Sequence, residues 1–163
     1  MIRLAHAGDV EAIAAIVERA YGVYIERIGM RPGPMDDDYP EKVRQGLVSV
    51  AEEEGDGGAA VVVGLIVLVE TGGRLLVENV AVDLDRQGEG IGRQLLEFAE
   101  DEARRSGIDT LALYTHEKMS ENLALYARLG YVETERRTER GFSRVFMEKR
   151  LAPPRSSAAS TPT

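Results

Sequence analysis

The sequence predicts an α+β fold, with a central mixed, mostly antiparallel sheet flanked by helices on both faces. Three strand-like runs in the first half are joined by short glycine turns and so pair antiparallel. Two later units alternate strand with helix, which calls for parallel crossovers. An amphipathic helix precedes them all, directly after a short opening strand. With 163 residues, 44% hydrophobic and 29% charged, the chain has the size and composition of one soluble domain. Such a chain buries roughly two-thirds of its unfolded surface.

The opening strand covers Ile2 to Ala5. Asp9 then stands as N-cap before Ala12, Ile13, Ile16, Val17 and Ala20, apolar at helical spacing. Tyr21 to Ile28 either prolongs that helix or starts a second one, and Arg31-Pro32-Gly33-Pro34 ends it, because two prolines and a glycine break the hydrogen-bond ladder. An acid-rich loop, Met35 to Tyr39, leads to a short helix over Pro40 to Gln45. The β-branched pattern then predicts strands at Leu47 to Glu52, Ala60 to Glu70 and Arg74 to Val82. Gly92 to Arg105 is helical, with Leu95, Leu96, Ala99 and Ala103 on one stripe and Gly107 beyond its end. A strand at Thr110 to Thr115, a helix at Ser120 to Leu129, and strands near Tyr131 to Arg137 and Ser143 to Leu151 complete a single domain over 1–151. The tail 152–163 is rich in proline and serine and is expected to stay flexible and outside the fold.

Composition excludes several classes of function. No cysteine is present, which rules out disulfides, thiolate metal sites and a cysteinyl-acyl intermediate; no metal is expected. The longest apolar run, Ala59 to Val69, is interrupted by Gly64 and too short to cross a membrane, and Met1-Ile2-Arg3 opens no signal-peptide core, so a cytoplasmic protein is expected. A net charge of -8 disfavours nucleic acid and mildly favours a cationic or amine-bearing partner.

The sharpest local signal is the turn Gln87-Gly88-Glu89-Gly90-Ile91-Gly92, between the strand ending at Val82 and the helix that begins Arg93-Gln94-Leu95-Leu96. Glycines at alternate positions let the backbone turn tightly and aim several N–H groups at one anion, and the helix N-terminus adds partial positive charge. A pyrophosphate suits such a nest, although a glycine-rich connection without a ligand would look the same. The third glycine comes one residue too early for the dinucleotide-binding spacing G-x-G-x-x-G, and no Gly-Lys-Ser/Thr follows for a Walker loop.

The stretch Val80 to Gly92, Q-x-x-G-x-G/A after an A-V-D strand end, resembles the acetyl-CoA-binding motif of the Gcn5-related N-acetyltransferase (GNAT) family. That family's second segment, N-x-x-A/L-x-x-L-Y-x-x-L-G-Y/F, corresponds to Asn122 to Tyr131, and the likeness covers the whole ordered chain. The resemblance implies the GNAT fold, with its sheet splayed after the third long strand. Backbone groups of Val80, Ala81 and Val82 would pair with the pantetheine arm, while N–H groups from Gln87, Gly88, Glu89, Gly90, Ile91, Gly92 and Arg93 would hold the pyrophosphate. Asn122 would contact the arm or the sulfur side.

The activity so implied is direct transfer of an acetyl group from acetyl-CoA to a primary amine of a small molecule, amino acid or peptide. The competing reading is an acyl-CoA-sensing module of the same fold without catalysis. Tyr126, on the L-Y of the second segment, would protonate the departing thiolate, unless it is simply a core tyrosine. Glu78, sharing a face with Val80 and Val82 by the period of two, would be the base, directly or through water. His116, at the C-terminal end of its strand, is an alternative base or substrate contact, and His6 reads as structural or exposed. The acceptor end offers Tyr21, Tyr24, Arg27, Met35, Tyr39, the acidic run Asp36-Asp37-Asp38 and the turn Arg136 to Phe142. The acids would attract an ammonium, and Arg27 or Arg137 a substrate carboxylate. Family members are commonly homodimers, and an exposed last strand would offer the pairing edge.

Overall fold

A computed structural model describes residues 1–152. Apart from Ala152, the expected tail lies outside the described residues. Seven strands form one sheet in the order β1-β2-β3-β4-β5-β7-β6. They are β1 Ile2–Leu4, β2 Val48–Glu54, β3 Ala60–Thr71, β4 Arg74–Val82, β5 Thr110–His116, β6 Val132–Glu139 and β7 Phe142–Arg150. The helices are α1 Val10–Gly22, α2 Ile25–Ile28, α3 Tyr39–Arg44, α4 Ile91–Arg105 and α5 Ser120–Arg128. Every pairing is antiparallel except β4 with β5. No helix among the described residues is long and apolar enough to cross a membrane.

Both faces of the sheet are covered. Ile13, Ile16, Val17 and Ala20 of α1 pack with Val48, Val50, Leu65 and Val67 on one side. Leu95, Leu96, Ala99 and Ala103 of α4 pack with Ile66, Leu75, Val77, Leu111 and Leu113 on the other. The apolar spacing of the two helices dictates these two cores. Gly64 lets α4 seat closely: a Cβ there would lie 3.1 Å from the Ala81 carbonyl oxygen, 3.2 Å from Leu95 and 3.3 Å from Ile91. The residue that seemed only to interrupt an apolar run is thus a point of close approach.

The first turn of chain differs in detail from expectation. Asp9 makes no side-chain cap to α1. It accepts from the His6 N–H at 2.9 Å and pairs with Arg3 at 2.8 Å, and Arg3 holds its carboxyl down at about 2. His6 is structural, accepting the Gly8 N–H on Nδ1 at 3.1 Å.

Two irregularities matter for the site. β4 and β5 pair only at Leu75 with Leu111, Leu76 with Ala112 and Val77 with Leu113, then part, although β5 runs on to His116. In addition, Val67 faces Asn79 while Leu68 faces Val77, so Glu78 is the extra residue of a β-bulge. The bulge cancels the expected alternation. Val80 and Val82 pack on the α4 side, whereas Glu78 is bonded to Lys42 of α3, on the opposite face. Glu78 therefore does not share a face with Val80 and Val82. The last strand also differs from expectation: β7 lies between β5 and β6, and the free edge is the exposed β6.

Candidate functional site

Where β4 leaves β5, the molecule opens into two cavities. One, of about 710 Å³, is walled by the end of β4, the glycine turn, α1 and α5. The other, of about 380 Å³, lies between the bulge, the end of β5, the Pro32–Pro34 segment and the β6–β7 hairpin. Tyr21, Val80, Asn122 and Tyr126 line both.

The larger cavity gathers Val80, Ala81, Val82, Gln87, Gly88, Gly90, Ile91, Gly92, Arg93 and Asn122. Of the expected cofactor residues only Glu89 stays off its wall. Gly88 and Gly90 have φ of 88° and 87°, in the left-handed region that favours glycine. Gly90 is the N-cap of α4 and supplies no side chain to cap it, and the first bond into the helix runs from the Gln94 N–H to the Gly90 carbonyl. The six N–H groups from Gly88 to Arg93 consequently make no hydrogen bond among the described residues. Exposed donors converging at a helix N-terminus are fitted to a pyrophosphate. The Gln87 amide steadies the turn by donating to the Val82 carbonyl at 3.2 Å. Together with the stretch of β4 left unpaired on its β5 side, the turn offers partners for the pantetheine arm and the pyrophosphate of a coenzyme A. In Gly90→Ala the left-handed conformation costs about 1–2 kcal/mol, so the free turn should relax out of it, and regaining it on binding should weaken acetyl-CoA by about tenfold in a calorimetric titration.

Tyr126 and Asn122 sit one turn apart on α5 and reach the junction of the cavities. Tyr126 is 6% exposed, packs edge-on against Tyr131 at 5.8 Å, and its hydroxyl has no hydrogen-bond partner among the described residues. Burial, helped by Tyr24, pushes its pKa up, so the hydroxyl stays protonated. Asn122 makes only a 3.6 Å contact from its amide to the Met119 sulfur.

The smaller cavity holds Glu78 and His116. Glu78 is paired with Lys42; burial opposes the lysine's charge, but Glu78 and Asp37 outweigh it and hold its pKa up. His116 is 8% exposed, packs edge-on against Phe142 at 6.3 Å, and accepts the Lys118 N–H on Nδ1 at 3.0 Å. Desolvation lowers its pKa. A neutral imidazole with Nδ1 accepting carries its proton on Nε2, so that nitrogen is a donor.

Several expected acceptor contacts lie elsewhere. Arg27 is committed to Glu121 at 2.6 Å and to the Lys118 carbonyl at 3.2 Å. Tyr24 faces the larger cavity and donates to Glu121 at 3.4 Å. Met35 is buried in the α1-side core. Arg137 lies over the Phe146 ring at 4.4 Å and is paired with Glu135. Tyr39 is a buried support: it donates to the Pro34 carbonyl at 2.6 Å and accepts from the Asn79 amide at 2.8 Å. The Asn79 oxygen in turn accepts from Tyr21 at 2.5 Å. Asn79, only 3% exposed, thus ties α1, β4 and the Pro34 loop together. The sequence offered one hint of it, an amide inside an otherwise apolar strand end. Arg140 and Arg144 line the cavity where Arg27 and Arg137 do not.

A family model described as an acetyltransferase (GNAT) domain matches residues 44–133, more than half of the chain. Among curated relatives, the ribosomal protein bS18-alanine N-acetyltransferase of Escherichia coli (strain K12) is 44% identical over 55 residues, covering 34% of this chain and 37% of that protein. The IAA acetyltransferase of Azospirillum brasilense is 37% identical over 76 residues, covering 47% and 50%. The chain therefore spans half or less of the length of these curated relatives. Among solved structures, a Salmonella typhimurium protein with its cofactor acetyl-CoA is similar at 25% identity and a TM-score of 0.66, with 98% of each chain covered. The fold also matches the PaiA N-acetyltransferase of Thermoplasma acidophilum in complex with coenzyme A, at 16% identity and a TM-score of 0.72, over 93% of this chain and 98% of that one.

Proposed function

The chain belongs to the GNAT acetyltransferase family, and from that premise we propose that it moves an acetyl group from acetyl-CoA to a primary amine by direct attack within a ternary complex. The reading rests chiefly on the meeting of the two cavities at Tyr126: one is fitted to a coenzyme A and the other is walled by a carboxylate and polar side chains. The Salmonella typhimurium relative solved with acetyl-CoA supports the donor assignment.

When bound, acetyl-CoA supplies an activated acyl carbon and a thiolate leaving group. The free N–H groups of Gly88 to Arg93 hold its pyrophosphate, and the β4 edge at Val80 to Val82 orients the arm. Glu78 takes the proton that the amine loses, directly or through water, with Lys42 fixing the carboxylate. Tyr126 gives its hydroxyl proton to the thiolate and is reprotonated from solvent. His116 donates from Nε2 to position the acceptor. The C–S bond breaks as the C–N bond forms, leaving an acetylated amine and free coenzyme A.

Incubation with acetyl-CoA and a panel of amines, amino acids and peptides, with thiol detection and mass measurement of the product, tests this. Stoichiometric thiol release and a gain of one acetyl group are expected. Tight acetyl-CoA binding without thiol release across the whole panel would leave the non-catalytic sensing module as the correct reading.

A further inference from the structure

The smaller cavity carries opposite charge at its two ends. At the β4 end stand Glu78, paired with Lys42, and Asp37, which has no ion pair among the described residues, and this leaves negative charge in excess. Asp36 is paired with Arg31 at 3.1 Å, an arginine it shares with Glu18. At the hairpin end stand Arg140 and Arg144; the carboxylate beside them, Glu139, lies 3.7 Å from Arg144 and is shared with Arg137 at the same distance, which leaves positive charge in excess.

The two arginines are held differently. Arg144 lies over the rings of Tyr114, at 4.6 Å, and Phe142, at 5.6 Å, which fixes the plane of its guanidinium. Arg140 has neither a hydrogen bond nor an ion pair from its side chain among the described residues. It is also the one non-glycine residue there with positive φ, at 50°, followed by Gly141 at 85°. Glu139 and Phe142 pair across it, so Arg140-Gly141 is a two-residue hairpin loop with both residues at the positive φ that a type I′ turn demands. Asn, Asp or Gly ordinarily fills the first of these places, and a long side chain there is strained. A strained arginine without a partner, lining a ligand cavity, has the geometry of a ligand contact rather than of a turn residue.

We propose that the acceptor is an amino carboxylate: a primary amine on a short skeleton that also bears a carboxylate, with Arg140 and Arg144 as the residues that select it. The inference rests on the acetyltransferase reading and narrows its substrate class. The amine lies at the Glu78 end, next to the donor cavity, and the carboxylate spans to the guanidinium pair. A cavity of about 380 Å³ is at the small end for ligand sites and suits an amino acid better than a polypeptide segment. The product is the N-acetyl amino carboxylate.

The experiment compares matched acceptors, each amino acid beside its carboxamide and its decarboxylated amine, by kcat/KM from thiol release, in the parent protein and in Arg140→Gly. The carboxylate form should be preferred by about tenfold or more, the usual worth of one charge-assisted hydrogen bond. Arg140→Gly should raise KM for carboxylate acceptors by about tenfold and cut the preference by a similar factor, while the thermal midpoint holds or rises as glycine relieves the turn. Equal kcat/KM within the matched sets, a preference untouched by Arg140→Gly, or faster turnover of peptides with blocked C-termini would overturn the proposal. Calorimetric titration of the same acceptors onto the protein with coenzyme A separates the two readings. Arg140-dependent binding of amino carboxylates without thiol release would sink the acetyltransferase reading and the acceptor role with it, while leaving the carboxylate site at Arg140 and Arg144 in place.

Discussion

Tyr126→Phe should lower kcat by about 10²- to 10⁴-fold, the range associated with losing a general acid. The protein should remain folded. The Tyr126 hydroxyl has no hydrogen-bond partner among the described residues, and its ring is held by packing against Tyr131, so phenylalanine fills the same volume and strands no partner. A tyrosine that served only the core would therefore show neither a rate effect nor a shift in thermal midpoint. Burial raises the hydroxyl's pKa, so its proton is in place throughout the neutral and mildly alkaline range. It follows that no alkaline limb of the wild-type rate below about pH 10, the ordinary tyrosine value, belongs to Tyr126. Acyl donors whose thiols are more acidic need less protonation on departure, and the variant's deficit should shrink with them. An equal deficit for all donors would rule out the acid role.

Glu78→Gln should cost about 10²- to 10⁴-fold in turnover near neutral pH, with a deficit that closes as pH rises. The sign follows from the chemistry. Without a base the enzyme depends on the fraction of acceptor already unprotonated, and that fraction grows with pH. Glutamine also leaves Lys42 without its carboxylate partner. Burial already disfavours the lysine's charge, so its pKa should fall once Glu78 no longer holds it up. A pH–rate profile of Glu78→Gln parallel to that of the parent protein would show that the carboxylate takes no proton.

Much of this molecule is legible in its residues, and what is not has a common cause. The stripe Leu95, Leu96, Ala99 and Ala103 and the run Ile13, Ile16 and Val17 read directly as buried helix faces, because the 3.6-residue period is a local property. The glycine turn is legible for the same reason, as a tight strand-to-helix connection with left-handed glycines before an amphipathic helix. Glu78 shows the limit. Its residue type was visible, but the bulge that turns it toward Lys42 arises from pairing between β3 and β4. Arg27 was a reasonable carboxylate ligand until α5 brought Glu121 to it from the far half of the chain. Arg144 needed Tyr114 and Phe142 from two different strands to become a fixed group. Local order is written in local spacing, whereas commitments between distant side chains emerge only on folding.

The parting of β4 from β5 has a mechanical meaning as well. Three residue pairs, Leu75 to Val77 with Leu111 to Leu113, join the four strands β1 to β4 to the three strands β5 to β7. Beyond them nothing in the backbone ladder bridges the gap. The molecule is therefore two half-sheets stitched at one end of a seam, and a ligand arm lying along β4, as proposed, would act as the remaining stitches. Any ligand that binds only the folded state adds about 2.7 kcal/mol of stability at a hundred times its dissociation constant. On the proposed reading that increment would fall on the weakest line of the sheet, and the donor substrate would double as a structural member while it is held.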